Sequence, residues 1–93
     1  MIKSFKCNET EKLFRLEKTK KIPSTLLKVA LRKLEMLDYA CELNDLRVPP
    51  ANRLEALKGN RKGQHSIRIN EQWRVCFVWN SGNVYQVEIV DYH

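Results

Sequence analysis

The sequence predicts an α+β domain in which N-terminal helices pack on one face of a small, mainly antiparallel β-sheet. Three observations carry this expectation. Residues 24–41 place apolar side chains at helical spacing, the C-terminal third alternates apolar and polar residues, and a stretch rich in Pro, Gly and charge separates the two. A chain of 93 residues has room for one hydrophobic core, so residues 1–93 read as a single domain.

Met1 to Phe5 can form a short strand. Asn8-Glu9-Thr10-Glu11 then has the form of a capping box, with Asn8 as cap and Glu11 reaching back. A helix from about Glu9 to Glu17 follows, with Leu13, Phe14 and Leu16 as its apolar side. Lys18-Thr19-Lys20-Lys21 suits its C-terminal end, where the helix dipole favours cations.

Pro23-Ser24 restarts the chain as a second helix. Leu26, Leu27, Ala30, Leu31, Leu34, Leu37 and Cys41 fall within an arc of about 140° at helical pitch. Val29, Met36 and Ala40 form a weaker ridge that either packs on the first helix or receives a partner. Residues 42–63 read as irregular: Pro49-Pro50 stops any helix, and Lys58-Gly59-Asn60-Arg61-Lys62-Gly63 reads as a mobile basic loop.

Ile67 and Ile69, then Trp73, Val75, Phe77 and Trp79, then Tyr85, Val87 and Ile89 occupy alternate positions of three strands. Asn70-Glu71-Gln72 and Asn80-Ser81-Gly82-Asn83 are the turns between them. A one-residue slip would turn every side chain over, so the pattern selects a register. It pairs Ile69 with Trp73, Ile67 with Val75, Val75 with Ile89 and Phe77 with Val87. Arg68 then faces Arg74 on the open side of the sheet, joined there by Glu88, Val90 and Tyr92. Two arginines across a strand pair repel each other. Either an anion sits between them, or Glu88 neutralises Arg74 in a surface ion pair.

Seventeen Lys and Arg against eleven acids give a formal charge of +6 and a pI near 9.4. Nucleic acid is the commonest partner for such an excess. No apolar run approaches the roughly 18 residues of a membrane span, so no membrane partner is expected. Met1-Ile2-Lys3-Ser4-Phe5-Lys6 lacks the apolar centre of a signal peptide, which points to the cytoplasm. Cys7, Cys41 and Cys76 are far apart and odd in number, which speaks against a disulfide framework or zinc site and for buried, reduced thiols.

Between Arg53 and Arg74 lie Lys58, Arg61, Lys62 and Arg68, opposed only by Glu55 and Glu71. The chain closes on Asp91-Tyr92-His93, which is a carboxylate, a phenol and an imidazole in succession. These are the groups of general acid–base chemistry, although a frayed, functionless terminus gives the same pattern.

Arg53-Leu54-Glu55-Ala56-Leu57-Lys58-Gly59, Ser66-Ile67-Arg68-Ile69-Asn70, Gln72-Trp73-Arg74-Val75 and the ending Val87-Glu88-Ile89-Val90-Asp91-Tyr92-His93 closely resemble the HigB toxins of bacterial toxin–antitoxin systems, within the RelE-like superfamily. The opening Met1-Ile2-Lys3-Ser4-Phe5 fits as well, and the likeness spans essentially the whole chain. The resemblance implies a ribosome-dependent messenger RNA endonuclease that uses no metal or cofactor and is neutralised by a HigA-type helix-turn-helix antitoxin. It further implies an active site of Lys58, Arg74, Asp91, Tyr92 and His93. Some relatives carry His where this chain has Glu55, so Glu55 is either a catalytic substitute or a partner for Arg53 or Lys58. Arg53, Arg61, Lys62 and Arg68 are expected to bind RNA, and the free toxin is expected to be monomeric. The charge alone would also suit a non-catalytic RNA- or ribosome-binding module.

Overall fold

The computed structural model describes residues 1–91; Tyr92 and His93 lie outside the described residues. Helix α1 (Asn8–Phe14) precedes a 3-10 turn (Ser24–Leu26) that leads directly into helix α2 (Leu27–Tyr39). Strands β1 (Glu55–Ala56), β2 (His65–Arg68), β3 (Trp73–Asn80) and β4 (Asn83–Asp91) follow. They form one antiparallel sheet in the order β1-β2-β3-β4. Ala30, Leu34 and Leu37 of α2 and Leu13 of α1 bury against Ile67, Val75, Phe77, Val87 and Ile89 of the sheet. The expected architecture of helices on one face of a mainly antiparallel sheet is therefore the observed one.

Helix α1 departs from its sequence reading at both ends. Cys7, not Asn8, is its N-cap, and no side chain caps it. Glu11 instead pairs with Arg15 at 2.9 Å, one helical turn on. At the other end Leu16 takes a left-handed φ of 63°. The Leu16 N–H donates to Leu13 O and the Glu17 N–H to Lys12 O, at 3.0 and 2.8 Å. That is the Schellman arrangement, and it stops the helix at Phe14 and leaves Leu16 exposed. The chain then reverses, so residues 18–21 do not serve the C-terminal end of α1. The Glu9 carboxylate in its first turn accepts from the Thr19 hydroxyl at 2.8 Å and the Lys20 N–H at 3.1 Å. Hydrogen bonds from the Lys20 backbone and Thr19, with the Lys12 ammonium, hold the Glu9 carboxyl down at about 2.

The apolar arc of α2 is buried at Ala30, Leu34 and Leu37. Val29, Met36 and Ala40 are partly buried against the core, in keeping with the packing alternative for that ridge. Cys41 lies past the end of the helix and is exposed, and Cys7 is half-buried; of the three free thiols only Cys76 is fully buried. Residues 42–63 are more regular than their composition suggests. They contain 3-10 turns at Leu43–Arg47, Pro50–Asn52 and Gly59–Arg61, as well as β1. The buried Lys33 ammonium donates to Asn52 Oδ1 at 2.6 Å. Asn52 Nδ2 in turn donates to Leu46 O at 3.1 Å. This buried clamp fixes the connection to α2 just before β1 begins. Burial, reinforced by Arg32, lowers the Lys33 pKa.

The sheet register is as the pattern requires for Ile67↔Val75, Arg68↔Arg74 and Val75↔Ile89. Beyond Cys76↔Glu88 it shifts, and the next pair is Val78↔Tyr85. Gln86, at a φ of 53°, absorbs the extra residue. This bulge changes the phase of β4, so Val84 is buried and Tyr85 is not, contrary to strict alternation.

The outer edge of β4 is closed by the N-terminal segment, which pairs as two parallel bridges, Ile2↔Val84 and Phe5↔Val87. Ser4 Oγ accepts the N–H of the bulge residue Gln86 at 2.9 Å. The buried Thr10 hydroxyl accepts the Ile89 N–H at 3.0 Å. Edge donors that would otherwise invite another strand are thereby satisfied within the chain.

Candidate functional site: a cationic face on the open side of the sheet

The side chains of Ser66, Arg68, Arg74, Cys76 and Glu88 alternate with core residues and so project from the sheet face away from the helices. Arg74 is closely held on this face. Its Nε donates to the fully buried Ser66 Oγ at 2.9 Å. Its Nη2 donates to Arg53 O at 2.8 Å and lies 3.5 Å from Glu55 Oε1. The carbonyl of Arg53 is one residue beyond the Asn52 clamp, and Arg53 itself adopts a left-handed φ of 46° at the end of a 3-10 turn. Only 12% of the Arg74 side chain is exposed. These partners among the described residues engage both Nε and Nη2 and so fix the position and the plane of the guanidinium, which suits it to a bound oxyanion.

Glu88 does not neutralise Arg74. Its Oε1 accepts from Arg61 Nη1 at 2.8 Å and has Lys6 Nζ at 3.8 Å. Arg61 also donates to Gln64 Oε1 at 3.2 Å. The basic segment is thus a hydrogen-bonded turn, with Arg61 N–H donating to Lys58 O at 3.2 Å and Lys62 N–H to Gly59 O at 3.1 Å. Gly59 holds a φ of 63°, which a residue without Cβ adopts without strain. Lys58 and Lys62 are exposed on either side of the turn. Arg68, directly opposite Arg74, turns away to Asn70 O at 3.0 Å and towards Glu71 at 4.0 Å. The two facing guanidiniums therefore relieve their repulsion through separate protein partners. Beneath them, burial pushes the Cys76 thiol up, against the pull of Arg61 and Arg74.

The sequence-predicted site is brought together only in part. Arg74, Arg61, Arg68 and the backbone of Arg53 share the open face with Glu55, and Lys58 starts the turn beside them. Glu55 partners Arg74 rather than Arg53 or Lys58. Asp91 does not join this group. β4 continues without a break to Trp73↔Asp91, so Asp91 has the parity of the core-facing residues. Its Oδ2 accepts from Gln72 Nε2 at 3.0 Å, at the turn between β2 and β3. Tyr92 and His93 are outside the described residues. His65 is on the core face, its ring stacked on Phe77 with centroids 6.2 Å apart. Among the described residues no three His, Cys, Asp or Glu side chains cluster as a metal ion would require. Nor is any described helix long and apolar enough to cross a membrane. Sequence reasoning missed Lys6 and Ser66. Lys6 is far from the site in the chain and no local signal marks it, whereas Ser66 is opposite Cys76 and one strand from Arg74, which the register itself could have shown.

Comparison with known proteins decides the family. The model for the RelE-like toxin of the type II toxin–antitoxin system HigB matches residues 3–93. The chain belongs to the HigB-like toxin family. Endoribonuclease HigB of Proteus vulgaris is 33% identical over 93 residues, covering 100% of both chains. Toxin HigB-1 of Vibrio cholerae is 52% identical over 61 residues, which are 66% of this chain and 64% of that relative's length. This HigB-like chain therefore spans less than two thirds of the Vibrio toxin it matches. Among solved structures, the heterotetrameric YoeB-YefM toxin-antitoxin complex of Staphylococcus aureus contains a chain of similar fold. Its TM-score is 0.59 at 21% identity, over 100% of this chain and 95% of that one. At such identity the likeness shows the fold alone, and it agrees with the RelE-like expectation for a HigB-like toxin.

Proposed function

We propose that this HigB-like toxin is a ribosome-dependent endoribonuclease that cleaves messenger RNA in the cytoplasm and is silenced by a HigA-type helix-turn-helix antitoxin. The observation that carries the chemistry is Arg74, held by Ser66, Arg53 O and Glu55 on a face that also gathers Arg61 and Lys6. The end-to-end likeness to a relative named an endoribonuclease supports the same reading.

RNA cleavage without a metal begins with attack of a 2′-hydroxyl on the adjacent phosphate. The 2′ proton must be removed, charge must be stabilised on phosphorus, and the departing 5′-oxygen must be protonated. In this proposal Arg74 and Lys58 hold the phosphate as its charge grows, and Glu55 withdraws from Arg74 as the phosphate arrives. His93 is the base, since an imidazole titrates near neutral pH, and the imidazolium formed by taking the 2′ proton returns a proton to the departing 5′-oxygen. Asp91, bound to Gln72 on the other side of the strand, steadies the end of β4. Tyr92 orients the phosphate or stacks on a base. Arg53, Arg61, Lys62 and Arg68 supply affinity. The free toxin acts as a monomer and needs no cofactor.

The test is to map mRNA 5′ ends on translating ribosomes with the wild type and with His93 deleted. New ends are expected with the wild type. Loss of a general base costs roughly 10²–10⁴ in rate, so the deletion should nearly abolish them while ribosome binding persists. Binding without new ends from the wild type would identify a non-catalytic ribosome-binding module instead.

A further inference from the structure

One lysine from the start of the chain sits next to the cationic face, and a second is held against the residue that follows it, although nothing in the sequence links either to that face. The Lys6 N–H donates to Val87 O at 3.0 Å, which sets this residue beside Glu88. Its ammonium is 3.8 Å from the Glu88 oxygen that Arg61 approaches to 2.8 Å. Lys6 is the looser of the two cations and the more exposed, at 53% against 30%. An incoming anion can therefore engage it at little cost, since a pair this long with an exposed lysine contributes little. One residue further on, Cys7 Sγ accepts from Lys21 Nζ at 3.4 Å. The segment carrying Lys21 is tied to α1 by the Glu9 carboxylate through Thr19 and the Lys20 N–H. Lys21 is thus brought back to Cys7, the residue next to Lys6 in the chain, by a defined set of bonds.

We infer that a single-stranded stretch of RNA flanking the cleaved phosphate runs from Arg74 across β4 and over Lys6 and Lys21. This rests on the endoribonuclease reading above and assigns part of the substrate path. From β3 to the N-terminal segment the path crosses two strand spacings, about 10 Å. Lys6 therefore meets a neighbouring phosphate, not the one held by Arg74. A row of cations tracking a flexible backbone, without a built pocket, suits a single strand bound through its phosphates.

The experiment measures the salt dependence of affinity for a short single-stranded oligoribonucleotide by fluorescence anisotropy. It compares wild type, Lys6→Gln/Lys21→Gln, Lys6→Arg/Lys21→Arg and Lys28→Gln/Arg32→Gln. The last pair is exposed on α2, which packs on the opposite face of the sheet. Each phosphate contact on a single strand contributes roughly 0.7 to the slope of log K against log salt. The first double variant should lose about 1.4 of that slope, the arginine variant should keep it, and the α2 variant should match the wild type. Single-turnover mRNA cleavage at saturating toxin should be unchanged in the Lys28→Gln/Arg32→Gln variant. A Lys6→Gln/Lys21→Gln protein with wild-type slope overturns the inference, as does an equal loss in the α2 variant. A path occupied by an acidic protein segment instead of RNA would give the first of those results. If the wild type binds RNA yet cuts no mRNA, the endoribonuclease reading fails while the slope comparison still decides the path.

Discussion

Replacing Ser66 by Ala tests how far the chemistry depends on the aim of one guanidinium. The Ser66 hydroxyl is fully buried and accepts from Arg74 Nε at 2.9 Å. Alanine removes one oxygen and leaves Nε facing a methyl group. Because 12% of the Arg74 side chain is exposed, water cannot readily replace the lost acceptor. A hydrogen bond to a charged group contributes roughly 1.5–3 kcal/mol. If it is needed to hold Arg74 for the transition state, the rate should fall by about 10-fold to 100-fold, at 1.4 kcal/mol per factor of ten. The remaining contacts to Arg53 O and Glu55 keep the charge on the same face, so substrate affinity should change much less. The assay is single-turnover cleavage of mRNA on programmed ribosomes across a range of toxin concentrations, with urea unfolding as a check on stability. A drop in the limiting rate with little change in half-saturation is the expected result, and Ser66→Thr, which retains the hydroxyl, should recover part of it. A limiting rate equal to the wild type in a stably folded Ser66→Ala protein would refute the positioning role.

Further outcomes follow from particular contacts. Glu55→Gln removes a carboxylate that shares Arg74 with the substrate; half-saturation should move to lower concentration by less than about tenfold, as for an exposed ion pair, with the limiting rate kept, whereas a collapse of that rate would make Glu55 a catalytic group. Thr10→Val keeps the shape of a buried residue but leaves the Ile89 N–H without its acceptor; a loss of about 1–3 kcal/mol is expected in urea titration, and an unchanged midpoint would contradict the edge-closing role. Glu9→Gln tests the carboxylate that ties residues 19 and 20 to α1. Its folded pKa of about 2 lies below the ordinary 4.5, so its stabilisation is fully present above 4.5 and is lost as pH falls towards 2. The variant should therefore be less stable than the wild type at neutral pH, and the thermal midpoints should converge in acid; a constant gap across that range would show that the ionised form is not the stabilising one.

Much of this architecture is legible in the sequence because it depends on local period. The apolar arc of α2 and the alternation of β2 and β3 each repeat over several residues, and a slipped register would expose a whole set of apolar side chains. That is why the pattern alone implies Arg68 opposite Arg74 and Val75 opposite Ile89. The basic character of residues 53–74 and the family likeness are likewise properties of the chain alone. The end of α1 was harder to read, because Leu16 adopts a left-handed conformation without the glycine that usually signals it.

What only the tertiary structure decided is which charge meets which. Glu88 could have served Arg74 on sequence grounds, but it pairs with Arg61, 27 residues away. Arg74 goes to Ser66, Arg53 O and Glu55, and Lys6 arrives from the far end of the chain. The bulge at Gln86 and the continuation of β4 through Asp91 belong to the same class. Neither leaves a periodic trace, since each is set by contacts between strands. Periodicity constrains the face a residue occupies; the partner it finds there depends on side-chain reach and on competition among nearby charges. For this protein, the sequence by itself determined the family, the layers and the basic face, and folding in three dimensions determined that Arg74 is the cation held by Ser66, Arg53 O and Glu55.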